Sequence, residues 1–115
     1  MKIITVKLPI YKNGIVFCIT PDQEEAKKYF KKVHINIDNW PKTAHGHTWT
    51  LSGYYPHVWL SGVKSAKQIA TMCHEVTHAA WFVLEDTGIK VTADNHEVLT
   101  YLQTFIIPFL LKSKV

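Results

Sequence analysis

His74, Glu75 and His78 stand in the pattern H-E-x-x-H within TMCHEVTHAAW, residues 71–81. Residues four apart on a helix lie on one face, one turn above the other, so these two imidazoles can meet a single ion. Glu75 lies about 100° further round the helix than His74. It is poorly placed to share the coordination and well placed to reach a water beside the ion, which is what metal-assisted hydrolysis requires. A catalytic zinc ordinarily has three protein ligands and one open position. Glu97 is the best candidate for the third. The eighteen residues between His78 and Glu97 hold the end of one helix, a turn stopped by Gly88 and the start of another helix. Two helices joined in this way pack side by side, which is expected to carry Glu97 across to the pair. Asp94-Asn95-His96-Glu97 also fits a capping box, and His96 is an alternative third donor. Glu85, about 10 Å further along the same helix than His78, is expected at the surface or near the helix end.

The elements that hold these residues follow from hydropathy and turn chemistry. Residues 3–8 and 15–19 are rich in Ile and Val and read as two strands, with a hairpin signal at Lys12-Asn13-Gly14 and Pro9 at a strand end. Thr20-Pro21-Asp22-Gln23 announces a helix capped by Thr20, with Gln23 closing a capping box. Ala26, Phe30 and Val33 give that helix one apolar stripe. Val33, Ile35 and Ile37 alternate with His34, Asn36 and Asp38, which predicts a third strand with one wet face. Beyond a loop over residues 39–46, strands are expected over 48–52 and 57–61, with a turn at 53–56. A long helical pattern runs from Ser65 to about Thr87 and ends at Gly88. Asp94 is expected to cap a last helix that reaches about Ile107, where Pro108 kinks or ends it. The 115 residues therefore make one α+β domain. Its small sheet is mainly antiparallel or mixed, with one helix after the first hairpin, then the helix of the metal pair and a second, ligand-bearing helix.

H-E-x-x-H followed by eighteen residues and Glu97 resembles the ligand spacing of the aminopeptidase N-like gluzincins. The stretch from Ser65 to Leu102, SAKQIATMCHEVTHAAWFVLEDTGIKVTADNHEVLTYL, also looks like the small zincin-like proteins of tailed bacteriophages, a group described as zinc peptidases. The likeness covers about the last half of the chain, while the first half shares only the order of sheet and helix. The resemblance implies a zincin-like fold, zinc held by His74, His78 and Glu97, and Glu75 as the general base of peptide hydrolysis. The larger gluzincins usually have Asn directly before the third ligand, where this chain has His96, and often Asp four residues after it, where this chain has Tyr101.

With no Arg in the chain, the group that steadies a developing oxyanion must be His or Tyr. Tyr101, one turn after Glu97, is the first choice as a catalytic group, ahead of Tyr54, Tyr55 and His96. In zincin-like folds an edge strand just before the active helix pairs with extended peptide. The matching segment here is His57-Val58-Trp59-Leu60-Ser61, so a peptide or protein substrate is expected to pair along 57–61. The rival is a catalytically silent zinc-binding module that captures a host partner. Glu75 weighs against it, because a structural zinc site needs no base and is usually closed by a fourth protein ligand.

The remaining features are weaker. Ala70, Cys73, Val76, Ala80 and Val83 make the long helix apolar nearly all round, so it is expected to be buried, with Trp81 in the core. Polar groups on such a helix need partners, which a metal supplies. His45-Gly46-His47 would share a face if extended, as a second metal or substrate site, but the glycine favours loop histidines. His34 and His57 are expected on a wet strand face. The formal charge is +4 and all thirteen cationic side chains are Lys, which disfavours nucleic acid as a partner. Lys27, Lys28, Lys31 and Lys32 read as one solvated helix face. Cys18 and Cys73 read as small buried apolar residues. No segment has the roughly 20 apolar residues of a membrane span, and a soluble, cytoplasmic protein is expected, acting in a bacterial host if phage-encoded.

Overall fold

A computed structural model describes residues 1–8, 11–42 and 44–115. Strands β1 (Lys2–Leu8) and β2 (Asn13–Ile19) form an antiparallel hairpin in which Leu8 pairs with Asn13. Asn13-Gly14 therefore opens β2 instead of forming the tip of the turn, and Lys12 before it takes the left-handed conformation at φ 50°. Pro9 lies outside the described residues.

Helix α1 (Gln23–Lys32) starts two residues later than Thr20 would set it. Its cap is Asp22, whose carboxylate accepts hydrogen bonds from the backbone N–H groups of Glu24 and Glu25. Thr20 Oγ1 instead accepts from the N–H of Asp22. A carboxylate is the better cap here because it also meets the positive end of the helix. The helix ends in a Schellman motif: Ile35 N–H donates to Phe30 O at 2.9 Å and His34 N–H to Lys31 O at 3.1 Å. His34 holds the left-handed position at φ 65°, where glycine is usual.

The third strand expected over residues 33–38 does not form. Its alternation is real, since Val33, Ile35 and Ile37 pack on the cluster around Phe30 and Trp40 while His34, Asn36 and Asp38 face out. Alternation reports one-sided burial; a strand also needs a partner backbone, and this segment has no ladder partner.

Strands β3 (Gly46–Trp49) and β4 (His57–Leu60) are shorter than expected, and Gly53 at φ 85° turns the chain between them. The sheet is mixed, in the order β1-β2-β4-β3, with β4 parallel to β2 and antiparallel to β3. This corrects one expectation directly. The segment 57–61 is paired on both sides and offers no free edge; the edge strand beside it is β3, and β1 is the edge on the far side. Chain order does not reveal this, because β4 inserts between two strands that precede it.

Helix α2 (Ala66–Asp86) begins with a capping box between Ser65 and Gln68. It stops where Gly88, at φ 86°, lets Ile89 N–H reach Leu84 O. Helix α3 (Glu97–Leu111) starts three residues after Asp94, with no side-chain cap, and runs past Pro108. Buried Ile106 and Leu110 hold the chain on both sides of that proline. Among the described residues no helix is long and apolar enough to cross a membrane.

The sheet separates two cores. Phe17, Val58 and Leu60 face α2 and α3, while Cys18 and Trp59, one residue on, face α1 together with Phe30 and Trp40. Burial raises the Cys18 thiol to about pKa 12, so it behaves as an inert apolar group. Cys73 is only half-buried, and both cysteines are free. Lys28, Lys31 and Lys32 are exposed, whereas Lys27 lies back against Glu24 and the Trp40 ring.

His34→Gly removes the cost of a left-handed side-chain-bearing residue, partly offset by glycine's greater freedom in the unfolded chain. The expected outcome is a gain of about 0.5–1 kcal/mol in chemical denaturation. A loss of stability would show that the His34 side chain makes contacts worth more than the strain.

Candidate metal centre

The site is built by one helix and one strand. Met72, Val76, Ala79, Ala80 and Val83 of α2 are buried against the sheet. At 3.6 residues per turn this seating turns His74 and His78 outward, with Trp81 and Glu85 continuing the same face. Gly46 allows β3 to lie close beside the helix, since a Cβ there would stand 2.8 Å from Trp59 O and 3.0 Å from Thr71 Cγ2. Between the two elements is an open cleft of about 710 Å³. One wall carries His47, Thr48 and Thr50, the other His74, Glu75, His78, Trp81, Phe82 and Glu85.

The imidazoles of His74 and His78 meet with their Nε2 atoms 3.1 Å apart and their rings edge to face. Two nitrogens each about 2.0–2.1 Å from a tetrahedral zinc lie about 3.3 Å apart, so the pair already has the bite of a bidentate zinc ligand. His74 is 67 % exposed on its side chain, which leaves room for an ion and a water in front of it.

Glu75, beside them, is only 7 % exposed. A buried carboxylate needs hydrogen-bond donors. Thr48 supplies one: its hydroxyl donates to Glu75 Oε1 at 2.8 Å. The second oxygen, Oε2, stays uncommitted on the cleft side, 3.7 Å from His74 Nε2. One carboxylate oxygen is thus anchored and the other lies beside the His74 imidazole.

The other expected site residues are not assembled with these three. Glu97 is exposed in the first turn of α3 and does not line the cleft. Among the described residues no three His, Cys, Asp or Glu side chains stand together as a metal-binding group. The register of the helix pair accounts for this. Gln103 Nε2 donates to Thr77 Oγ1, which sets residue 103 level with the His pair. Glu97 lies about 9 Å from Gln103 along the α3 axis. Glu97 therefore stands on the side of the 87–96 link, nearer the end of α2 than the His pair. Tyr101 is 70 % exposed on the solvent side of α3 and also lies outside the cleft. His96 is exposed at the helix start, and Tyr54 and Tyr55 belong to another pocket.

Two cleft residues were poorly marked in the sequence. His47 stands in β3, on the cleft rim, and packs on Trp49 with ring centroids 4.6 Å apart. Its neighbour His45 lies before the strand, with Nδ1 3.3 Å from Ser61 Oγ. Thr48 carried only the weak signal of a polar residue in a strand. Glu85, expected to be remote, lines the far end of the cleft and accepts a hydrogen bond from Trp81 Nε1 at 2.9 Å. Trp81 is therefore not a core residue, being partly exposed on the cleft wall.

Thr48→Val keeps the shape of residue 48 and leaves Glu75 without its hydroxyl donor. A loss of about 1–3 kcal/mol in chemical denaturation is expected, most of it absent when the same change is made in Glu75→Leu protein. Equal losses in both backgrounds would mean that the hydrogen bond contributes nothing. Comparison with protein-family models, curated proteins and solved structures returns no significant match, so the chemistry of this site rests on its own geometry.

Proposed function

We propose that the protein is a zinc-dependent metallopeptidase of gluzincin-like type, hydrolysing peptide bonds with Glu75 as general base. The observation that carries this proposal is the arrangement of one buried, half-anchored carboxylate beside two imidazoles that converge in an open cleft. The donor set suits zinc: two imidazoles of the preferred spacing, with Glu97 as the carboxylate that the H-E-x-x-H-x18-E spacing implies for the third position. For Glu97 to serve, the first turn of α3 must draw toward the cleft when the ion binds.

Zinc held there supplies an acidified water, with a pKa near about 7, and a Lewis acid for the carbonyl. The chain's own residues do the remainder. Thr48 fixes Glu75 so that Oε2 faces the cleft. Glu75 Oε2 takes the proton of the attacking water and delivers it to the leaving nitrogen. Among the cleft residues the Thr50 hydroxyl is a candidate donor to the developing oxyanion, a role Tyr101 fills only if α3 moves. β3, free on its outer side, offers backbone donors and acceptors to an extended peptide added as one more strand. An edge strand antiparallel to its neighbour, lying beside the metal helix, fits a zincin-like plan, and it takes over the part first assigned to 57–61.

The catalytically silent zinc-binding module is the second reading, favoured by the exposure of Glu97 and Tyr101 away from the cleft. Glu75 separates the two. Glu75→Gln is expected to keep zinc and lose hydrolysis of an unstructured protein substrate by about 100-fold or more, whereas His74→Ala loses both. A Glu75→Gln protein that cleaves at the wild-type rate would remove the base from the mechanism; wild-type protein that binds zinc and cleaves nothing would favour the silent module.

Glu97 is tested apart from catalysis. Glu97→Ala is expected to weaken zinc binding at least about tenfold, the lower bound even for partners that only support a ligand. Unchanged affinity would take Glu97 out of the ligand set.

A further inference from the structure

A second pocket, of about 600 Å³, opens on the other face of the sheet, where β3 ends and β4 begins. Its walls are Trp49, Tyr55 and His57 on the sheet side and Val33 and Ile35 from the segment after α1. Tyr55 is fixed: its ring lies over Gly14, where a Cβ would stand 2.7 Å from ring carbon Cε2. Trp49 is backed by Phe30 and Trp40, with ring centroids 4.8 Å and 5.2 Å away. His34 and Asn36 also line it, and among the described residues no Lys, Asp or Glu does. His57 is half-buried with Nδ1 3.0 Å from Tyr55 O, and burial lowers its pKa, so it stays neutral near pH 7.

Two further observations connect this pocket to the cleft. Thr50, just past β3, lines both. At the rim, Leu51 and Tyr54 are 65 % and 66 % exposed, so two large apolar side chains border the cavity from the solvent side. A peptide lying along the outer side of β3 would point alternate side chains to the two faces of the sheet. Those on one face enter the cleft of His74 and His78, and those on the other come over Trp49. We infer that this pocket is a specificity subsite that takes a large uncharged side chain, aromatic or branched aliphatic, of a peptide seated along β3. The subsite rests on the peptidase proposal and names the class of substrate that it would select.

The test uses full-length, zinc-loaded Glu75→Gln protein, which is expected to bind without cutting. Isothermal titration with a blocked hexa-alanine peptide is compared with versions carrying one Phe at each position. The expected result is that Phe at one position or more tightens binding about tenfold or more. Tyr54→Ala and Leu51→Ala in the same background should remove most of that gain and leave hexa-alanine binding unchanged. Both positions are exposed, so folding is not at risk. Peptides that bind with no preference for Phe, or a preference that survives both substitutions in full, would overturn the subsite and leave the peptidase standing. If no peptide binds and wild-type protein cleaves none, both fall together.

Discussion

The hydrogen bond from Thr48 Oγ1 to Glu75 Oε1 ties the edge of the sheet to the helix that carries the imidazole pair, at 2.8 Å. It resolves a conflict built into α2. One side of this helix must be apolar to lie on the sheet, yet Glu75 is its next residue after His74 and falls at the margin of the buried face. A carboxylate there would be costly without a donor. β3 supplies that donor and, in doing so, fixes which oxygen remains free. The distance between edge strand and helix, the opening of the cleft and the direction of Glu75 Oε2 all follow from this one contact and from the lack of a side chain at Gly46.

The sheet order then decides what reaches the site. Because β4 inserts between β2 and β3, the strand beside the metal helix is the last of the sheet and keeps one side unpaired. A free edge invites another strand. The same edge leads past Thr50 to an aromatic pocket on the opposite face, so the imidazole cleft and that pocket lie on alternate sides of one short strand. Beneath that pocket Phe30, Trp40 and Trp49 pack on one another, and Trp40 also meets Trp59.

Local signals were legible where the backbone alone enforces them. Gly88 ends α2 as its position implies, and the four-residue spacing of His74 and His78 puts them on one face wherever the helix lies. Signals that depend on a partner were not. Val33 to Asp38 alternates like a strand because one side is buried on aromatic rings, with no backbone beside it. His57 to Leu60 comes last among the strands and closest in sequence to α2, but hydrogen bonding on both sides makes it interior. The level of α3 against α2 depends on how much chain the link over 87–96 takes up. No sequence interval states that length, which is why Glu97 falls short of the cleft, while Tyr101 misses it by facing solvent. Thr48 was invisible for the same reason: its role exists only once β3 lies beside Glu75.

X-ray absorption at the zinc edge, on protein loaded with the metal, reads the donor atoms directly. The account predicts one ion per chain in a four- or five-coordinate shell of nitrogen and oxygen at about 2.0–2.1 Å, with the scattering of two imidazoles. A shell of oxygen alone, a sulfur donor from Cys73, or zinc lost on gel filtration would contradict it.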